Sequence, residues 1–125
     1  MNAAVPQNAA GAYGKSNRST RSPRETERDV IARVTHQLRS AKEKRSDGVF
    51  VVRAISDNLS LWYVLMTDLA NDNNTLPVDL RAKLLSLGMT VVRECEQVDR
   101  TRVNIDFLIE INQSIMDGLT ETSAP

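Results

Sequence analysis

The sequence predicts an all-α protein, a small antiparallel bundle of about four helices that follows a disordered N-terminal tail. Apolar residues recur every three or four positions over four separate stretches, which is the spacing of helices with a buried face. No run rich in Val, Ile and Thr alternates with a period of two, so strands are not expected. The connections between the four stretches are short, which favours antiparallel neighbours.

The first 21 residues are rich in Asn, Ala, Gly and Ser and lack apolar periodicity, so we expect a disordered basic tail. The helical domain is expected over residues 22–119, followed by a flexible C-terminus at 120–125. Residues 1–24 contain four basic residues and no acid, whereas the rest of the chain contains 12 basic and 16 acidic residues. The folded part is therefore expected to be mildly acidic, although the formal net charge of the chain is zero.

The first two helices have clear expected boundaries. The sequence Ser-Pro-Arg-Glu at positions 22–25 is a capping box with proline at the first helical position, and this helix is expected to reach about Lys44. A break at residues 46–48 precedes the second helix, which is expected to end near Asn71. The second helix has two apolar rows. Its main row is Val51, Val52, Ile55, Leu59, Trp62, Tyr63, Met66 and Leu69, and its second row is Phe50, Ala54, Leu61, Val64 and Leu65.

The third helix follows a polar turn at residues 71–75 and is expected to run from about Pro77 to about Asp99. Asn104 is expected to cap the fourth helix, which should stop at Gly118. The third helix also has two apolar rows. They are Leu80, Leu84, Leu87, Val91, Cys95 and Val98, and Val78, Leu85, Met89 and Val92.

No residue pattern indicates catalysis, a metal site or a cofactor. His36, the only histidine, lies on the polar side of the first helix and is interpreted as solvated. Cys95 lies in an apolar row and is interpreted as a small core residue. No Cys/His cluster has metal-ligand spacing, and no Gly-rich loop precedes a helix. We therefore expect a protein that is not an enzyme and uses no cofactor.

The expected compartment is the cytoplasm. A single cysteine cannot form an internal disulfide, which favours a reducing environment. The N-terminus lacks the apolar core of a signal peptide, and no window reaches about 18 uninterrupted apolar residues, so neither secretion nor a membrane span is expected. The free protein is expected to be monomeric.

Two polar residues lie in or beside apolar rows: Asn112 interrupts the row of the fourth helix, and Asn58 lies at the edge of the main row of the second helix. An unpaired buried amide costs about 1–3 kcal/mol, so each must find partners if it is buried. Two interpretations remain open. Each amide is either simply satisfied where it lies, or it fixes the pairing of helices. Trp62, the only tryptophan, is expected to be a core residue.

The corner between the second and third helices is expected to depend on four residues. Pro77 sets the start of the third helix, and Leu76 packs over the hinge. Arg81 lies one turn into the third helix, where we expect it to pair with Asp68 across the turn. An exposed pair of this kind contributes only about 0–1 kcal/mol.

The second apolar rows of the second and third helices are the candidate partner site. These two helices are expected to pack against each other along their main rows. The second row of each helix lies about 120–180° around from its main row, so the two second rows cannot both face the contact between the helices. They would then form a shallow groove for an amphipathic helix of a partner. The alternative left open is that the four helices enclose these residues completely. The residues are Leu61, Val64, Leu65, Leu85, Met89 and Val92.

A series of short motifs occurs in a fixed order along the chain. The series begins with Ala-Tyr at 12–13, Ser-Pro-Arg-Glu at 22–25 and Leu-Trp at 61–62. It continues with Asp-Leu-Ala at 68–70, Leu-Pro at 76–77, Leu-Arg at 80–81 and Ile-Asn at 111–112. Each motif is common, but the ordered set resembles the FlaF family, flagellar biosynthesis regulators of alphaproteobacteria, over roughly residues 12–119.

The resemblance implies a cytoplasmic protein that promotes flagellin synthesis and export. It implies flagellin as the partner, bound by a chaperone-like secretion adaptor, with FlbT as a possible second partner. The alternative function is a post-transcriptional regulator that acts directly on flagellin mRNA or through FlbT. An RNA-binding surface needs a basic face with aromatic side chains for stacking, whereas this domain is net acidic with its Trp in the main apolar row. Direct RNA binding is therefore the less favoured alternative.

Overall fold

The computed structural model describes the backbone over residues 23–123 and side-chain environments over residues 26–118. Within this part of the chain the regular structure consists of four α-helices and one 3₁₀ turn, without a strand. The all-α class predicted from periodicity is confirmed, and the tail predicted over residues 1–21 lies outside the described residues. The elements are α1 (Pro23–Glu43), α2 (Gly48–Ala70), α3 (Val78–Cys95), the 3₁₀ turn (Arg100–Arg102) and α4 (Ile105–Ser123).

Side-chain caps define the starts of two helices. The Asp47 carboxylate accepts a hydrogen bond from the backbone N–H of Phe50 at 3.1 Å, which begins α2 after the expected break. Asn104 Oδ1 accepts from the backbone N–H of Phe107 at 3.0 Å, so the predicted cap of α4 is confirmed. Both caps satisfy an N–H group that the first helical turn leaves without a partner. The predicted cap by Ser22 lies outside the described residues.

The predicted ends of α3 and α4 are wrong. α3 stops at Cys95, because Asp99 begins the separate 3₁₀ turn by accepting hydrogen bonds from the Thr101 N–H at 3.0 Å and hydroxyl at 2.6 Å. These bonds hold the pKa of the Asp99 carboxyl below its usual range. α4 continues through Gly118 to Ser123, since a glycine within a helix costs only about 1 kcal/mol and does not by itself end it.

Cross-helix contacts show that sequence neighbours run antiparallel. The Arg81 guanidinium, near the start of α3, bonds the Leu69 carbonyl at the end of α2. Asn58, in the middle of α2, lies against Cys95 at the end of α3. Residue numbers therefore rise along one helix as they fall along the other. The same relation holds for α1 and α4, where the pairs are Arg39 with Gln113 and Lys42 with Asp106.

α1, α2 and α4 form most of the core, and α3 packs mainly against α2. α1 contributes Ile31, Val34, Leu38 and Ala41, and α4 contributes Ile105, Leu108 and Met116. α2 contributes apolar residues from both of its rows, while the buried apolar residues of α3 are Val91 and Cys95. α3 is thus the most peripheral helix of the bundle.

α2 is, by length and composition alone, apolar enough to cross a membrane. No membrane span was expected from the sequence, because α2 contains no run of about 18 uninterrupted apolar residues. A central helix of a small bundle has the same composition, and α2 lies between α1 and α3 with the polar Asn58 hydrogen-bonded inside the core. Its apolar character is by itself a weak indication of a membrane span.

Candidate functional site

Buried polar side chains connect three helices in the middle of the bundle. Trp62 Nε1 in α2 donates a hydrogen bond to Asn112 Oδ1 in α4 at 2.9 Å. The Asn112 amide donates to Asn58 Oδ1 at 2.8 Å, and Asn58 Nδ2 lies 3.7 Å from Cys95 Sγ in α3. All four side chains are at most 1% exposed. Both amides are therefore satisfied, and the bonds between them also join α2 to α4, so the two interpretations of these residues apply together.

The Cys95 thiol accepts a hydrogen bond in this network but is not placed to react as a nucleophile. Burial raises the pKa of the thiol, and the hydrogen bond from Asn58 offsets part of this effect. The reactive form of cysteine is the thiolate, which requires an accessible and cationic setting. Cys95 is instead fully enclosed. Among the described residues there is also no group of three or more His, Cys, Asp and Glu side chains suited to holding a metal ion.

Arg81 closes the end of α2. Its Nε donates to the Leu69 carbonyl at 2.8 Å and its Nη2 donates to the Asn71 carbonyl at 3.0 Å. Carbonyls at the end of a helix lack partners within the helix. A cation at that position also interacts favourably with the negative end of the helix dipole. The side chain of one helix thereby fixes the exit of the chain from the preceding helix.

The predicted ion pair between Asp68 and Arg81 is wrong. The Asp68 carboxylate accepts instead from Asn74 Nδ2 at 3.2 Å, and the guanidinium is occupied by the carbonyls at the end of α2. Leu76 is half-buried, and its N–H donates to Asn74 Oδ1 at 3.0 Å. Pro77 is exposed and immediately precedes α3. The corner is therefore held by backbone acceptors and Asn side chains rather than by opposite charges.

An open cleft of about 450 Å³ lies where α1 begins, α2 ends and α3 begins. The buried residues of α3 all lie in its C-terminal half, whereas Leu80 near its start is 40% exposed. The cleft was not predicted from the sequence. Its apolar walls include Ile31, Trp62, Leu65, Leu69, Leu84 and Ile115, and its rim includes Glu27 and Asp68.

A second apolar surface follows the seam between α2 and α3. The Tyr63 hydroxyl donates to Glu96 Oε2 at 2.8 Å across this seam, and this bond to a carboxylate raises the pKa of the Tyr63 hydroxyl. Tyr63 and Met89 are 47% and 54% exposed. Residues four, seven and eleven positions before Glu96 lie on the same side of α3. We name this surface the α2–α3 face, and it consists of Tyr63, Met66, Leu85, Met89 and Val92.

Comparison with known protein families gives a match over most of the chain. The model of the family described as flagellar protein FlaF matches residues 9–119. The chain belongs to the FlaF family. No curated protein sequence and no solved structure matches it. The FlaF match includes all of α1, α2 and α3, and it begins at residue 9, well before the first described helix.

In this FlaF-family protein the six candidate partner residues do not form one surface. Leu61 is only 8% exposed and belongs to the core, while Leu65 lines the cleft. Val64 is 67% exposed, but it lies two residues before Met66 and therefore about 200° around α2 from it, away from α3. The expected single groove is corrected accordingly. The residues that remain together on the α2–α3 face are Leu85, Met89 and Val92.

The FlaF-family bundle buries a different arc of α2 from the predicted main row. Val52 and Tyr63 were assigned to that row, but both are exposed. The buried arc is centred on Asn58 and Trp62, whose hydrogen bonds turn that side of α2 toward α4. The polar Asn58 at the edge of the main apolar row was the available signal, since a buried amide must face a partner. Taking it as the centre of the buried arc would have placed Tyr63 on the surface.

Proposed function

We propose that this FlaF-family protein is a cytoplasmic adaptor, monomeric when free, that binds flagellin before export through the α2–α3 face. Family membership supports a flagellar role. The observation that carries the proposal is the exposed apolar strip on that face, which gives α3 a surface for another helix. FlbT is proposed as a possible second partner.

The composition of the α2–α3 face fits an amphipathic helix. Met89 has a flexible and polarisable side chain that adapts to partners of different shape. Tyr63 adds a large ring with a polar tip, and Leu85 and Val92 are half-buried between the two exposed residues. A helix with apolar residues three, four and seven positions apart can lie along such a shallow strip. Amphipathic helices near the ends of flagellin would have this pattern.

The peripheral position of α3 supports the same assignment. α3 has three buried residues, Gly88, Val91 and Cys95, and these lie in its C-terminal half. Its remaining apolar side chains are half-buried or exposed. A partner helix can therefore bury additional apolar area on α3 while α1, α2 and α4 remain packed. Each buried side chain contributes roughly 1.5–3 kcal/mol of favourable transfer free energy when fully covered.

Direct action on flagellin mRNA is the competing function and has less support. Residues 25–125 contain 12 basic and 16 acidic residues, which disfavours contact with a phosphate backbone. Trp62 is enclosed in the core and has no face free to stack on a base. Tyr63 is exposed, but its hydroxyl is bound to the Glu96 carboxylate, which places negative charge beside it. These features favour a protein partner.

The test is isothermal titration of purified flagellin into the parent protein and two variants. Met89→Glu places a charge on the α2–α3 face and is expected to weaken flagellin binding at least tenfold, which corresponds to about 1.4 kcal/mol. Val64→Glu is the matched control, because Val64 is similarly exposed but lies on the side of α2 away from α3. It is expected to bind flagellin like the parent. Both variants should keep the parent's melting temperature, since both positions are exposed.

Separate titrations with FlbT and with the flagellin leader RNA complete the experiment. Flagellin binding that survives Met89→Glu, or that falls equally in both variants, would reject the α2–α3 face. Binding of the RNA without binding of flagellin would favour the competing function. Binding of FlbT alone would replace flagellin as the direct partner.

A further inference from the structure

A carboxylate lies at one end of the α2–α3 face. Glu96 follows Val92 by four residues and Met89 by seven, so it continues their row along α3. It comes directly after the last residue of α3, and its side chain is exposed. The apolar strip of the face therefore ends in a negative charge, about 10 Å along the helix axis from Met89.

The Tyr63 hydroxyl holds this carboxylate toward α2. The hydroxyl donates to Glu96 Oε2 at 2.8 Å across the seam between the two helices. Both oxygens of a carboxylate accept hydrogen bonds, so Glu96 can accept a further donor while the bond from Tyr63 persists. A side chain that is already anchored loses less conformational freedom when a partner binds it. Glu96 is thus oriented in advance at the edge of the apolar strip.

No ion pair joins Glu96 to a cation within residues 26–118. Arg93, one turn earlier on α3, donates to Thr90 Oγ1 at 3.4 Å, so its guanidinium turns back along the helix and away from Glu96. The nearby Glu94 differs from Glu96, because its carboxylate accepts the backbone N–H of Asn104 at 2.7 Å. Glu96 is therefore the acidic side chain at this end of α3 that has a charge available to a partner.

We propose that Glu96 is the specificity-determining residue of the α2–α3 face and pairs with a Lys or Arg side chain of the flagellin helix bound there. This inference rests on the proposed function. The bound helix then carries its cation about two turns from the apolar residue that contacts Met89, since the two positions on α3 are seven residues apart. An apolar helix without this cation would cover the carboxylate and leave it without a counter-charge, which costs affinity. Apolar contact thereby supplies affinity, and the charge selects among apolar helices.

Isothermal titration of flagellin at low and high salt tests this assignment. Glu96→Gln keeps an oxygen that can accept from Tyr63 but removes the charge, and it is expected to weaken flagellin binding about fivefold at low salt. The affinity of the parent should fall as salt screens the pair, whereas that of Glu96→Gln should change little. Glu110→Gln is the matched control, because it removes the same charge from an exposed position on α4. It is expected to bind flagellin like the parent, with the same salt dependence.

A charge exchange identifies the cation on the partner. Glu96→Lys is expected to weaken binding more than Glu96→Gln, because it places like charges together. Each Lys and Arg of the bound flagellin helix is then changed to Glu in turn. One of these flagellin variants should bind Glu96→Lys more tightly than parent flagellin does, and the same variant should bind the parent protein more weakly. Melting temperatures of all variants should match that of the parent, since the changed positions are exposed.

The Met89→Glu variant separates failure of this inference from failure of the proposed function. If flagellin does not bind the parent, or binds Met89→Glu equally well, the α2–α3 face is rejected and the assignment of Glu96 is rejected with it. If Met89→Glu weakens binding but Glu96→Gln behaves like Glu110→Gln, the face is retained and the inference is overturned. The same conclusion follows if no flagellin variant restores binding to Glu96→Lys.

Discussion

α2 and α3 have the same kind of sequence pattern, with two apolar rows each, but the bundle buries them to different extents. α2 has seven buried residues drawn from both rows, whereas α3 has three. The difference follows from their neighbours. α2 packs against α1 and α3 and bonds to α4 through Trp62, while α3 packs mainly against α2. A helix with two apolar rows can therefore be buried in the core or can keep one row available for a partner. Its neighbours decide between these outcomes, and its composition alone does not.

The largest expected effect is on the core side of α2. Trp62→Ala should lower the free energy of unfolding by about 3–5 kcal/mol, because it removes a large enclosed side chain and leaves a cavity. Tyr63→Ala at the next position is the control and should have little effect, since that ring is partly exposed. Urea denaturation followed by circular dichroism measures both. If the two variants lost equal stability, the assignment of the buried and exposed sides of α2 would be wrong.

The next effect concerns the polar connection between α2 and α4. Asn112→Leu removes the acceptor of Trp62 Nε1 and the donor to Asn58 Oδ1. Since an orphaned buried group costs about 1–3 kcal/mol, we expect a loss of about 2–3 kcal/mol in unfolding free energy. The neighbouring Gln113→Leu, which loses only an exposed hydrogen bond to Arg39, should cost less than about 1 kcal/mol. A stable Asn112→Leu protein would show that the connection is dispensable.

A smaller effect is expected at the seam between α2 and α3. A Cβ at Gly88 would lie 2.7 Å from Met66 Cγ and Sδ and 3.3 Å from Trp62 Cε3. Overpacking costs about 1–3 kcal/mol, and the better helix propensity of alanine offsets about 1 kcal/mol of it. Gly88→Ala should therefore destabilise the fold by up to about 2 kcal/mol.

Gly118→Ala in α4 is the matched control for Gly88→Ala. Nothing lies within 4 Å of the position that its Cβ would take, so it should stabilise the fold by up to about 1 kcal/mol. Thermal melts of the two variants should shift in opposite directions. A shift of the same sign for both would show that the α2–α3 seam is not closely packed at Gly88.

The smallest effect is expected at the corner. Arg81→Ala removes two hydrogen bonds to carbonyls at the end of α2 and should cost about 1 kcal/mol, because the site is partly exposed. Arg81→Lys should fail to restore this stability, since an ammonium cannot reproduce the two-pronged contact. Asp68→Asn should leave the melting temperature nearly unchanged if the carboxylate has no ionic partner. Full rescue by lysine would instead indicate a simple charge effect.

The fold class and the buried position of Trp62 could be predicted because apolar spacing reports directly on helices and their packed sides. The rotation of α2 could not be predicted from apolarity, since Val52 and Tyr63 are as apolar as the residues that are buried. It is set by the contact between Asn58 and Asn112, which joins positions far apart in the sequence. The polar residue Asn58, at the edge of an apolar row, was the position that carried this information.

The candidate site was predicted only in part. Leu85, Met89 and Val92 share a side of α3 by helical spacing, so the sequence was sufficient to group them. Leu61 was grouped with them wrongly, because its row on α2 is divided between the core, the cleft and the surface. The cleft itself is lined by residues from all four helices and the turn before α3, and no local pattern encodes how these elements meet.

The central claim is that α3 is the most peripheral helix and carries the proposed flagellin site. Amide hydrogen exchange of α2 and α3, measured in one sample, tests it most directly. In the free protein we expect the amides of residues 84–92 in α3 to exchange faster than those of residues 55–62 in α2. Local opening of α3 exposes less buried apolar surface and therefore costs less free energy. With flagellin added, protection should rise in residues 84–92 and around Tyr63, and should stay unchanged around Val64. Equal protection of α2 and α3 in the free protein, or a flagellin-dependent change confined to the Val64 side, would contradict the account.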